Sequence, residues 1–135
     1  MSENLYQTVL IQSGDAGADT YVPVPKKAIL RGATVHHKGT LSAEETVIFV
    51  HNATTVATAT FPAASVITDT IAAVRNATAA SADLVFDPAS STDAENYVKI
   101  TTSDNGSTVV EWVVVLEWDI NAVPARTTDG AATRP

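Results

Sequence analysis

The stretch VVEWVVVLEWDI, residues 109–120, decides the fold class of this chain. Its even positions are all apolar, whereas its odd positions mix valines with Glu111, Glu117 and Asp119. Alternation with a period of two gives an extended strand one apolar face and one mixed face, which a helix would not keep apart. Residues spaced about 3.3 Å apart would extend this stretch to roughly 40 Å, so it predicts a strand that crosses a whole sheet.

Shorter strand patterns precede this stretch and are separated by turn residues. KKAILRGATVHH (26–37) predicts a strand in which Gly32 marks a bulge or a close backbone approach, and ETVIFVHN (45–52) predicts a central strand. In residues 97–102 we expect Val98 and Ile100 to point inward, and Asn105-Gly106 predicts a hairpin turn into the final strand. Seven or eight such strands predict an all-β fold, an antiparallel β-sandwich that is jelly-roll-like.

The chain has 135 residues, which suits one folded domain with two extensions. Residues 1–25 predict an N-terminal arm because, apart from an apolar patch at 9–11, they are polar, and because they include Pro23 and Pro25. Residues 26–120 form the predicted sandwich domain. Residues 121–135 lack any periodicity and predict a flexible C-terminal tail.

Composition excludes several classes of partner. The net charge of −7 argues against binding to nucleic acid, whose phosphates attract Lys and Arg. There is no cysteine, so neither disulfides nor thiolate metal sites can form. The first residues carry neither a basic start nor a long apolar run, which predicts no signal peptide, no membrane partner and synthesis in a cytoplasm.

Few residues of the chain suggest catalysis or metal binding. His36 and His37 are adjacent, so on a strand they point to opposite faces, and joining one of them to His51 would still give an incomplete metal site. Glu117 and Asp119 lie on the polar side of an alternating strand, which explains them better than acid/base catalysis does. With no nucleophile or phosphate-binding motif, the sequence predicts a protein that is not an enzyme and that has no metal and no cofactor.

The order of segments from residue 27 to residue 119 resembles the head decoration, or cement, proteins of bacteriophages, which have a jelly-roll body. The segments that carry this resemblance are KAILRGATV (27–35), LSAEETVIFVHN (41–52), TATF (58–61) and VVVLEWD (113–119). The resemblance implies a structural virion protein on the capsid exterior that stabilises the shell by bridging capsomers. It also implies that the major capsid protein is the partner and that the protein is a homotrimer at local three-fold positions.

On this interpretation the extended termini contact the neighbours, because such segments add strands to sheets or lie in grooves. The residues predicted to make partner contacts are Val9, Leu10, Ile11, Tyr21 and Val123. The apolar patch at 9–11 pairs either with a sheet edge of its own subunit or with that of a neighbour. We expect deletion of residues 1–19 to weaken attachment and to leave the sandwich folded.

An alternative function is a carbohydrate- or receptor-binding β-sandwich of a fibre or surface protein. It would require aromatic side chains such as Tyr21, Tyr97 or Trp118 on an exposed face. For Trp112 and Trp118 the apolar row around them favours packing in the core instead.

Overall fold

The computed structural model of this protein describes residues 4–12, 19–62, 70–76, 84–90, 95–103 and 108–120. These residues form two antiparallel sheets whose buried faces pack against each other. The strands are β1 (Asn4–Gln12), β2 (Asp19–Pro23), β3 (Ala28–Thr40), β4 (Glu45–His51), β5 (Thr54–Phe61), β6 (Thr70–Ala72), β7 (Val74–Arg75), β8 (Val85–Phe86), β9 (Tyr97–Thr102) and β10 (Thr108–Asp119).

The strand order is that of a jelly roll. The first sheet has the order β1-β10-β3-β6, with β8 also paired to β3, and the second has the order β2-β9-β4-β5-β7. The first strand therefore pairs with the last, the second with the last but one, and β4 with β5 at the centre of the chain. Strands paired in this nested order form an antiparallel ribbon that is rolled into two layers. This architecture confirms the predicted all-β sandwich.

Strand β10 confirms the prediction from the alternating stretch. It lies between β1 and β3, and Trp112, Val114, Leu116 and Trp118 are all buried against the second sheet. The intervening odd positions from 111 to 117 are half-buried on the outer face. Period-two alternation thus separates core from surface along the strand.

The bulge predicted near Gly32 is present and affects the end of β10. Glu117 pairs with Gly32 but Trp118 pairs with Leu30, so Arg31 is an extra residue in β3. Arg31 donates to the carboxylate of Asp119 at 2.7 Å, and the Asp119 side chain is only 1% exposed. Asp119 is therefore an ion-paired structural residue and not a solvated carboxylate on the polar side of the strand.

The core contains two aromatic clusters, each of which joins both sheets and includes one histidine. The clusters are Trp112 with His37 and Phe61, and Trp118 with Phe86 and His51. In the first cluster the His37 ring lies 5.1 Å from Phe61 and edge-on to it. In the second, Phe86 is edge-on to Trp118 at 5.2 Å. Such edge-on ring pairs stabilise the core by more than the burial of the rings alone.

The described part of the predicted arm belongs to the sandwich, which corrects the boundary drawn at residue 26. Strand β1 pairs with β10 along its whole length, from Asn4 opposite Asp119 to Gln12 opposite Glu111. Strand β2 pairs with β9 in the other sheet. The physical reason is the alternation in β1, whose odd positions turn toward the core and whose even positions are exposed.

The hairpin predicted at Asn105-Gly106 is a second correction. Strand β9 pairs with β2 and β4, whereas β10 pairs with β1 and β3, so the two strands lie in different sheets. The segment between them joins the two layers. Residues 104–107 and the predicted tail, 121–135, lie outside the described residues.

Candidate assembly surface

The outer face of the first sheet has an uncharged centre. The strand register places Thr8 beside Val115 and Leu10 beside Val113, and β3 and β6 continue these two rows. We call this centre the outer patch. Its residues are Thr8, Leu10, Thr34, His36, Ala72, Val113 and Val115, none of which is Lys, Arg, Asp or Glu. Leu10 is 54% exposed, and Thr8, Thr34 and Ala72 are exposed as well.

Charged residues lie at the two ends of this face. On one side Glu117 lies between Tyr6 and Gly32, and on the other Glu111 lies next to Lys38. Glu117 accepts a hydrogen bond from the amide of Asn4 at 2.6 Å, and the Tyr6 hydroxyl lies 3.5 Å from it. An uncharged centre with a polar rim is the usual composition of a protein–protein contact.

The outer face of the second sheet is more polar. Asp19 accepts a hydrogen bond from the Thr101 hydroxyl at 2.6 Å, and Lys99 lies 4.0 Å from the same carboxylate. Thr46 and Thr60 pair on the neighbouring strands, and Thr60 is exposed. The outer face of the first sheet is thus less polar at its centre than the outer face of the second sheet.

Strand β1 differs from the other strands at the sheet edges. It has nine residues, NLYQTVLIQ, without a charge, a proline or a register shift. By contrast, β2 has five residues that include Asp19 and Pro23, and β6 and β7 have three and two residues. Short strands, charges and proline are the devices that keep sheet edges from pairing with other chains, and β1 has none of them.

The predicted contact residues divide between core and surface. Leu10 and Tyr21 are 54% and 53% exposed, so both are open to a partner. Ile11 is 1% exposed and Val9 packs on the core, so these two are corrected to core residues, because their odd positions in β1 face inward. Val123 lies outside the described residues.

The exposed Tyr21 packs edge-on against Tyr97, with 4.9 Å between the ring centroids. A small depression of about 60 Å³ adjoins this pair and is lined by Val50, Asn52, Tyr97 and Lys99. Trp118, in contrast, is fully buried and is not available to a sugar. Of the aromatic residues named for the carbohydrate-binding alternative, Tyr21 is thus exposed, Tyr97 is half-buried and Trp118 is buried.

A larger cavity of about 340 Å³ lies where β3 and β5 approach each other. Its walls are mainly apolar and include Leu30, Val56 and Ala73, and two guanidinium groups, of Arg31 and Arg75, border it. Arg31 is already paired with Asp119. The cavity therefore offers apolar volume, and the Arg31 charge at its border is committed to the fold.

The histidines do not come together. His37 and His51 are buried in the two separate aromatic clusters, and His36 lies on the outer face. Within the described ranges no three His, Cys, Asp or Glu side chains are grouped as metal ligands would be. Over the same residues, no helix has the length and apolar character needed to cross a membrane.

Comparison with known proteins gives a weak structural likeness. No protein-family model matches the chain, and no curated protein matches its sequence. Among solved structures, a chain from work on Bacillus endospore appendages as a family of disulfide-linked pili is similar at a TM-score of 0.43 and 14% identity. The match covers 88% of this chain and 90% of that one. The resemblance to phage decoration proteins remains a prediction.

Sequence reasoning identified Leu10 and Tyr21 but missed the outer patch. The signal was present in β10, whose odd positions include Val113 and Val115 where an exposed strand face normally carries polar residues. The uncharged composition of residues 4–12 was a second signal. Both become informative once β1 is known to pair beside β10.

Proposed function

We propose that this protein is a structural virion protein that binds the outside of a phage capsid and stabilises the shell by bridging capsomers. The outer patch is the observation that supports this function. It offers a surface four strands wide, about 15 Å across at the usual strand spacing, whose centre has no Lys, Arg, Asp or Glu. In a chain with net charge −7, such a surface is where another protein can approach with the least loss of hydration.

The rolled-up sandwich also suits this role mechanically. Its first and last strands are paired over nine consecutive positions, so the surface is presented by a continuous ladder of hydrogen-bonded strands. Many copies of a rigid subunit, each bound weakly, hold a shell together through multivalency. The proposed partner is the major capsid protein, and the proposed location is the capsid exterior of the virion.

We expect Thr34→Arg to weaken attachment to virions whose genome encodes this chain by about tenfold or more. Thr34 is exposed at the centre of the outer patch, so arginine there leaves the core unchanged but places an unpaired charge in the contact. The measurement is the amount of protein that co-sediments with purified particles, relative to the shell subunit, over a concentration series.

The matched control is Thr60→Arg, which introduces the same side chain on the outer face of the second sheet. We expect this variant to attach as the unchanged protein does. Equal loss for both variants would show that added charge and not position is responsible. Absence of the unchanged protein from the particles would contradict the proposed function itself.

Carbohydrate binding is a second candidate function, favoured by the exposed Tyr21–Tyr97 pair beside Asn52 and Lys99. Aromatic faces bind sugar rings, and nearby polar groups orient the hydroxyls. We expect any signal on a glycan array to be lost in Tyr97→Ala and retained in Thr34→Arg. A signal that survives Tyr97→Ala, or no signal at all, would contradict this candidate.

A further inference from the structure

We infer that β1 is a self-association edge, at which a second copy of this chain adds its own β1 in antiparallel orientation about a two-fold axis at Thr8. This contact is distinct from capsid attachment, because its hydrogen bonds form along the edge of the first sheet, and only Thr8 and Leu10 of the outer patch take part in it. It makes no use of a capsid protein. Its test therefore succeeds or fails separately from that of the proposed function.

The first argument is that the edge formed by β1 is open to pairing with another strand. Within the described residues β1 pairs on one side only, with β10, so the backbone groups on its other side face outward. Alternate residues of a nine-residue strand offer these groups, which gives about eight to ten hydrogen bonds between two copies. No charged side chain, proline or bulge in β1 opposes the pairing.

The second argument is that β1 complements itself. With Thr8 opposite Thr8, each Tyr6 lies opposite Leu10 of the other copy on the outer face. Tyr6 and Leu10 are 63% and 54% exposed, so both are accessible to a second copy. Aromatic–aliphatic and Thr–Thr cross-strand pairs are both favourable. The contact would cover two of the large exposed apolar side chains.

The third argument concerns the other candidate for this edge, the segment 121–135. It begins near the first residue of β1, since Asn4 pairs with Asp119 at the end of β10. Its sequence, NAVPARTTDGAATRP, has two prolines, one glycine, two arginines and no alternation. These residues disfavour a strand in a ladder, whereas a second β1 is uncharged and alternating.

Two copies joined in this way form a closed two-fold pair whose first sheets become continuous, in place of the trimer implied by the resemblance. A strand pair about 30 Å long buries less surface than a permanent dimer needs. We therefore expect reversible, concentration-dependent association with a Kd roughly in the micromolar range. Within an assembly, neighbouring copies are already concentrated and the pair is favoured.

The test is sedimentation velocity of the full chain over a concentration series. We expect a shift from 14.1 kDa toward twice that mass. Thr8→Lys is expected to remain monomeric, because it places two like charges opposite each other at the axis. Thr8→Glu is expected to behave in the same way. An equimolar mixture of the two variants is expected to dimerise again, since opposite charges then meet.

Thr34→Lys is the matched control, since it changes an exposed threonine on the same face in an interior strand. It is expected to dimerise normally. Circular dichroism of each variant verifies the fold, and the rescue by mixing shows that both Thr8 variants are competent. A monomer at all concentrations, a trimer, a dimer that persists in Thr8→Lys, no rescue on mixing, or a dimer lost when residues 121–135 are deleted would each overturn the inference.

Discussion

Replacing Trp118 by alanine is expected to lower the free energy of unfolding by about 3–5 kcal/mol. Trp118 is fully buried, packs edge-on against Phe86 at 5.2 Å, and donates from its indole nitrogen to the Gln7 side chain at 3.1 Å. The substitution therefore removes the largest ring of one core cluster and leaves a cavity that rigid strands on both sides cannot fill. Urea unfolding followed by fluorescence of the remaining Trp112 measures the loss.

Two further variants, one with a smaller ring at position 118 and one at an exposed valine, show how much of this loss of stability is due to the buried indole. Trp118→Phe keeps a ring against Phe86 but leaves the Gln7 oxygen without its donor, so a smaller loss of about 1–2 kcal/mol is expected. Val74→Ala removes apolar atoms from a side chain that is 71% exposed, and a change below about 0.5 kcal/mol is expected. If Trp118→Ala were no more destabilising than Val74→Ala, this cluster would not hold the two sheets together.

The sequence was most informative where burial follows a simple period. From residue 110 to residue 120 the even positions are apolar without exception, and those from Trp112 to Trp118 pack on the second sheet. Val98 and Ile100 in β9 follow the same rule and were predicted to point inward. Gly32 indicated the bulge correctly, because a glycine in a strand marks a place where the ladder is interrupted.

Pairing between distant segments was not predictable from such local patterns. Residues 4–12 have the alternation of a strand, but their partner β10 lies more than a hundred residues away, and the polar side chains of β1 suggested an arm. The Asn105-Gly106 pair has the composition of a hairpin turn, yet the flanking strands lie in different sheets. Turn chemistry is a local property, whereas the choice of sheet is decided by the packing of the whole sandwich.

The outer patch likewise could not be predicted from local sequence patterns. Val113 and Val115 are next to buried residues in the sequence, and only the register with β1 and β3 places them among Thr8, Thr34 and Leu10 on one surface. Similarly, Asp119 continues the polar positions of β10, but the bulge at Arg31 brings a guanidinium group to it and allows it to be buried. Neither arrangement follows from a single stretch of sequence, because each depends on three neighbouring strands.

Deleting residues 1–12 is expected to prevent the protein from folding, in contrast to the behaviour expected of an arm. The deletion removes the buried Ile11, the partly buried Leu5 and Val9, and the Gln7 acceptor of Trp118. At about 1.5–3 kcal/mol for each fully buried apolar side chain, the combined loss is comparable to the whole stability of a small domain. It also exposes β10 as a new, valine-rich edge that is prone to aggregation.

The measurement is the yield of soluble protein and its circular dichroism spectrum, compared with those of a deletion of residues 1–3, which precede β1. The shorter deletion is expected to give the spectrum and melting temperature of the full chain. Retention of both by the longer deletion would show that β1 is dispensable to the sandwich. Because β1 contributes its odd side chains to the core and its even side chains to the surface, its part in attachment has to be measured with substitutions on the exposed face and not with truncations.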